Sequence, residues 1–138
     1  MPKIDEMLCE FNTYYRLGDG NMDQTHIEFL QLCQEATGES GDQFAASLNK
    51  LFEHTQQHFS VEEQRMIETA FPSYAEHRAD HQRTLGELER FARRATAGKT
   101  AMARIWLNEG LPGWFDLHAK TMDSALAAHL KGTEVGQR

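Results

Sequence analysis

Cysteine is almost missing from this chain of 138 residues. Its two cysteines, Cys9 and Cys33, are too few for a disulfide framework and are not spaced as a CxxC metal or redox motif, so both are read as reduced thiols. Long apolar runs are missing too. No stretch qualifies as a membrane span, and the first ten residues lack the basic and then apolar order of a signal peptide. We therefore expect a cytoplasmic protein that needs no processing and does not insert into membranes. Positive charge is scarce: fourteen Lys and Arg against twenty-one Asp and Glu leave a net charge of −7, which argues against nucleic acid or an anionic membrane as partner. The length suits one domain, residues 1–138, large enough that no metal is needed merely to rescue a small core.

Seven histidines are present, and their spacing carries the information. Residues 1–21 show little periodicity and contain the turn signal Gly18-Asp19-Gly20-Asn21, so they read as an N-terminal arm whose Phe11, Tyr14 and Tyr15 could cover one end of a core. A bundle is expected over 22–131. Its first helix, capped by Asp23 and ending at Gly38, has a stripe of Met22, His26, Phe29, Leu30 and Cys33. Taken alone, His26 would be a satisfied core residue and Cys33 a core thiol.

The second helix should run from the Gly38 to Gly41 region to about Ala70. With His58 at zero degrees, Phe44, Leu48, Leu51, Phe52, Phe59, Glu62 and Met66 fall within an arc of about 120 degrees. A carboxylate inside an apolar stripe needs a cation, so Glu62 calls for Arg, Lys or a metal ion. His54 lies slightly off the stripe and reads as a surface or supporting residue. After Phe71-Pro72 a third helix, from about Ser73 to Ala97, turns Tyr74, His77, His81, Leu85, Leu88 and Ala92 inward, and the four-residue spacing of His77 and His81 converges two imidazoles on one point. Asp80 and Arg78 read as solvated.

Lys99 to Glu109 reads as a short separate segment, and the last helix as starting near Leu111-Pro112-Gly113 and running to about Leu130. His118 and Asp123 flank its buried face. Five residues apart, they come closer if the helix widens locally to a π turn. His129, three turns beyond His118, reads as a helix-end residue. The result is an all-α, up-down-up-down four-helix bundle in which each helix offers ligand-type residues to the interior: His26; His58 and Glu62; His77 and His81; His118 and Asp123. Five imidazoles and two carboxylates are too many for one ion. Two six-coordinate ions sharing them, with the carboxylates and a hydroxide as bridges, would have every position but one filled.

Together, His58-Phe59-x-x-Glu62-Glu63, His77-x3-His81, Trp114-x3-His118-x4-Asp123 and Asp23-x-x-His26 resemble the motifs of the hemerythrins, in particular the single-domain bacterial ones. The resemblance covers Met22 to Leu130. It implies a cofactor of two iron ions with a bridging oxo or hydroxo group in the bundle core, with His77, His81 and His118 on one iron, His26 and His58 on the other, and Glu62 and Asp123 as bridges. It also implies reversible O2 binding at the iron with fewer ligands, in a pocket walled by Phe29, Phe59, Trp114, Phe115 and Met122, with Ala119 where a larger apolar side chain is common. Thr25 replaces the usual Gln before the first ligand, and the arm lacks the usual Trp. The expected role is a non-enzymatic oxygen carrier, store or delivery protein. The alternative is an enzyme or sensor built on the same centre, acting on nitric oxide or peroxide or reporting oxygen; any protein partner for delivery is left open.

Overall fold

A computed structural model describes residues 2–136; Met1, Gln137 and Arg138, the ends of the expected 1–138 domain, lie outside the described residues. Two short helices, α1 (Ile4–Cys9) and α2 (Phe11–Tyr14), precede α3 (Gly20–Thr37), α4 (Gly41–Glu68) and α5 (Tyr74–Thr96). A last helical run then comprises α6 (Ala101–Ile105), a π turn (Trp106–Gly110), α7 (Leu111–His118), a second π turn (Ala119–Asp123) and α8 (Ser124–Gly136). The described chain is all-helical, and its four main helices are antiparallel, with α4 packed against both α3 and α5.

Each long helix buries one stripe at helical spacing. On α5 that stripe is His77, His81, Thr84, Leu88, Ala92 and Ala95, so Thr84 takes the inward place that the pattern offered to Leu85. The apolar core falls into two clusters. The larger runs from Ile4, Met7 and Phe11 of the arm through Phe29, Phe44, Leu51 and Leu88 to Phe115 and Ala119. The smaller holds Met22, Met66, Phe71, Leu126, Ala127 and Leu130. Between them each of the four long helical runs buries ligand-type residues: His26 on α3, His58 and Glu62 on α4, His77 and His81 on α5, and His118 and Asp123 in the last run. The bundle thus has a buried polar layer near its middle.

Three local expectations are corrected. Helix α3 begins two residues before Met22 and is capped by Asp19, which accepts from the Met22 amide at 3.0 Å and pairs with Arg65 at 2.7 Å. Asp23 instead accepts from the amides of Leu17 and Gly18, because the left-handed turn at Gly18 (φ 84°) folds the preceding chain back onto it. The arm is helical and built into the core, with Phe11 and Tyr15 buried and Tyr14 exposed; Tyr15 donates its hydroxyl to Asp116 at 2.6 Å.

The third correction concerns the segment expected at Lys99 to Glu109, which from Ala101 onward is continuous with the last helix. Leu111-Pro112-Gly113 suggested a new helix start, but the chain continues by slipping one residue. The Leu111 amide bonds back five residues to the Trp106 carbonyl, and Pro112, which has no amide to donate, follows directly on this wider turn. Gly110 is needed here because a Cβ would lie 2.8 Å from the Trp106 ring.

Helix α4 ends with Ala70 in the left-handed region (φ 54°), while the Phe71 amide bonds to the Met66 carbonyl and the Ala70 amide to the Ile67 carbonyl. This is the Schellman arrangement, whose left-handed position glycine fills without strain. Ala70→Gly is therefore expected to stabilise the metal-free chain by about 0.5–1 kcal/mol, read as a higher urea midpoint; an unchanged or lower midpoint contradicts it.

Candidate metal centre

All seven residues singled out from the sequence meet in the polar layer, and none is more than 7% exposed. The π turn at Ala119–Asp123 is the widening anticipated from the five-residue spacing. The Ser124 amide reaches back to the Ala119 carbonyl, and His118 Nε2 comes within 3.1 Å of Asp123 Oδ1. Without that slip, His118 and Asp123 would stand about 140 degrees apart on the helix.

The two carboxylates divide the imidazoles between them. Glu62 Oε1 lies 3.5 Å from His77 Nε2 and 3.4 Å from His81 Nε2, while its Oε2 faces His26 Nε2 at 3.6 Å and contacts His58 Nε2. Asp123 repeats the division: Oδ1 lies 3.0 Å from His77 and 3.1 Å from His118, and Oδ2 lies 3.1 Å from His26. One oxygen of each carboxylate thus serves the group of His77, His81 and His118, and the other serves His26 and His58. Donor atoms within ligating distance of one another fall into the same two groups, Glu62, His77, His81, His118 and Asp123 on one side and His26, His58 and Glu62 on the other.

These approaches are not ordinary hydrogen bonds. The Nε2 atoms of His26, His77, His81 and His118, with Glu62 Oε1 and Asp123 Oδ1, are buried and lack an aligned hydrogen-bond partner among the described residues. Buried polar atoms are nearly always paired, and several inward-facing lone pairs around one point suit a cation. Imidazole with carboxylate is a donor set suited to a transition-metal cation, and the donors form two overlapping groups that share Glu62.

A family model described as the hemerythrin HHE cation binding domain matches residues 17–130. The chain belongs to this family. No curated protein and no solved structure matches it.

In this hemerythrin domain, a cavity of about 10 Å3 touches the centre and is lined by His26, Phe29, His58, Phe59, Trp114, Phe115, His118 and Asp123. Phe29, Phe59, Trp114 and Phe115 stand where a pocket wall was expected. The other two expected wall residues do not line this cavity. Ala119 is packed in the larger apolar cluster, and Met122 lines a separate surface cleft with Phe71, Ser73, Glu76, His77, Thr121 and Ala125. The arm backs the wall: the Tyr15 ring lies 5.7 Å from Phe115, whose edge meets His26 at 5.2 Å and whose face stacks on Phe29 at 5.4 Å. The remaining histidines stay outside the centre. The half-buried His54 has Nε2 3.4 Å from the Thr25 carbonyl, and His129 donates to the Thr69 carbonyl at the end of α4.

Two carboxylates read as solvated or off the stripe stand behind the ligand-type imidazoles instead. Asp80 accepts from His118 Nδ1 at 2.7 Å and from Trp114 Nε1 at 2.9 Å, because its position three residues after His77 turns it toward α7 and away from solvent. Glu63, next to Glu62, faces His81 Nδ1 at 2.9 Å. For Asp80 the sequence signal was an acidic residue at the shoulder of a stripe that contains histidines; Glu63 was part of the motif shared with the hemerythrins but had no role assigned to it.

In the metal-free chain, burial pulls the His26 imidazolium down, but the Asp123 and Glu62 carboxylates outweigh it and push its pKa up to about 10. His118 is raised to about 9 by the same opposition, with Asp123 and Asp80 as the chief anions, and Glu62 is held well below its usual value despite burial, by the imidazoles around it. Raised pKa values mean that these nitrogens hold protons at neutral pH, and a metal must displace them. Loading the metal-free protein with ferrous iron at neutral pH in weak buffer should acidify the solution, and apparent affinity should climb with pH through about pH 9, where His118 loses its proton unaided, to about pH 10, where His26 does. Loading without proton release, or affinity that falls as pH rises from neutral, would contradict this.

Proposed function

We propose that this hemerythrin domain holds two iron ions and binds O2 reversibly, as a carrier, store or delivery protein of the single-domain type it resembles. The observation that carries the proposal is the division of both carboxylates between two imidazole groups of unequal number, next to a cavity of about 10 Å3. Iron bound as a pair supplies the electrons for reversible O2 binding. Three imidazoles, His77, His81 and His118, would hold one ion, and two, His26 and His58, the other, with Glu62 and Asp123 as bridges.

The half with fewer imidazoles would have the position left for an exogenous ligand, and the cavity is lined by both of its imidazoles, His26 and His58, and by only His118 of the other three. A space of about 10 Å3 lies at the lower limit for one water-sized molecule, so a ligand there has to displace part of the aromatic lining. Its non-ligand lining is aromatic: Phe29, Phe59, Trp114 and Phe115. Such a wall excludes water and leaves no spare acid to protonate a bound ligand, since the one polar group on these four rings, the Trp114 Nε1–H, is held by Asp80. That favours binding and release over reductive turnover, because cleavage of an O–O or N–O bond calls for proton delivery.

Anaerobic reduction of the iron-loaded protein followed by air exposure should produce a visible ligand-to-iron charge-transfer band that disappears when O2 is removed and returns over repeated cycles. Immediate irreversible oxidation, or steady turnover of nitric oxide or peroxide, would overturn the carrier reading.

A further inference from the structure

The two imidazole groups differ in more than number. His118 and His81 are each fixed from two sides. The Trp114 ring stacks on His118 at 4.6 Å and 21°, and the Phe59 ring stacks on His81 at 3.8 Å and 3°. On the nitrogen facing away from the centre, His118 meets Asp80 at 2.7 Å and His81 meets Glu63 at 2.9 Å. Asp80 is itself anchored, because the oxygen that accepts from His118 also accepts from Trp114, while its other oxygen pairs with Arg83 at 2.5 Å. One carboxylate therefore sets both a pocket-wall ring and an imidazole. Among the described residues, the outer Nδ1 atoms of His26, His58 and His77 are buried without a hydrogen-bond partner, so two of the three imidazoles in one group have an outer carboxylate and neither imidazole in the other does.

A carboxylate on the outer nitrogen fixes the tautomer that leaves Nε2 free to ligate, holds the ring plane, and makes the imidazole a stronger donor. Such support falls on one group only. We propose that Asp80 and Glu63 are positioning residues that, acting through His118 and His81, make the three-imidazole half of the centre the tighter of the two and the better seat for positive charge. The proposal rests on the two-ion reading above. In this arrangement the first ferrous ion enters among His77, His81 and His118, and the second fills the half beside the cavity. The half that meets the exogenous ligand is left with the weaker, less constrained imidazoles.

The test is an anaerobic titration of the full metal-free chain with ferrous iron against a competing chelator, with the reduction potential of the loaded protein measured alongside. The unsubstituted chain should take two equivalents of unequal affinity. Asp80→Ala should loosen the tighter equivalent by about 10-fold to 100-fold and leave the weaker one in place. Asp80→Asn keeps an acceptor oxygen but removes the charge, so it should restore most of the lost affinity while raising the reduction potential. Glu63→Gln should act in the same direction through His81. Two equivalents of equal affinity, an unchanged tighter equivalent in Asp80→Ala, or an unshifted potential in Asp80→Asn would overturn the positioning role. Equal loosening of both equivalents with a lower urea midpoint for the metal-free chain would also overturn it, since that is the signature of a purely structural contact. Fewer than two equivalents in the unsubstituted chain would overturn the two-ion reading and this proposal together.

Discussion

Two carboxylates buried among five imidazoles, in the middle of an otherwise apolar bundle, are the constraint on which this structure turns. Glu62 and Asp123 are almost completely withdrawn from water, and their ion-pair contacts are with histidines. Burying such groups costs several kcal/mol each unless charge and lone pairs are matched. In the metal-free chain, protons shared with the imidazoles do this imperfectly, as the unaligned contacts at 3.0–3.6 Å show. A pair of cations would do it better, and the two apolar clusters on either side hold the four helices so that the donors cannot separate to find water instead. The fold can carry this layer because the clusters supply the stability that the layer does not.

The geometry of the layer depends on a departure from regular helix. His118 and Asp123 serve the same group only because Ala119–Asp123 is a π turn. The same last helical run absorbs a second slip at Trp106–Gly110, which lets Gly110 and Pro112 lie within a continuous rod. The two slips have different causes. One is made possible by a glycine against which the Trp106 ring packs; the other brings an imidazole and a carboxylate onto the same centre.

The seven central side chains were legible in the sequence because each sits on a long helix whose apolar stripe reveals its inward face, and because histidine and glutamate within such a stripe need an explanation beyond packing. The π turn was legible from a spacing that made no sense on a regular helix. Other features were not. α1 and α2 are too short to display a period. Asp19 and Asp23 are both suitable caps, and only the turn at Gly18 decides between them. Leu111-Pro112-Gly113 carries the local signal of a new helix start, which the wider turn overrides. Asp80 and Glu63 lie at the shoulders of their stripes, where a residue faces solvent or a neighbouring helix depending on how close that helix comes. Met122 was placed in the pocket wall by the resemblance, whereas in the structure it lines a separate surface cleft.

The central claim is that Glu62 and Asp123 each divide their oxygens between two metal positions. It is tested most directly by a crystal structure of the iron-loaded chain with anomalous data collected at the iron absorption edge. The account predicts two anomalous peaks within the polar layer, one among His77, His81 and His118 and one beside His26 and His58, with both carboxylates between them. A single peak, or iron bound anywhere outside these seven side chains, would contradict it.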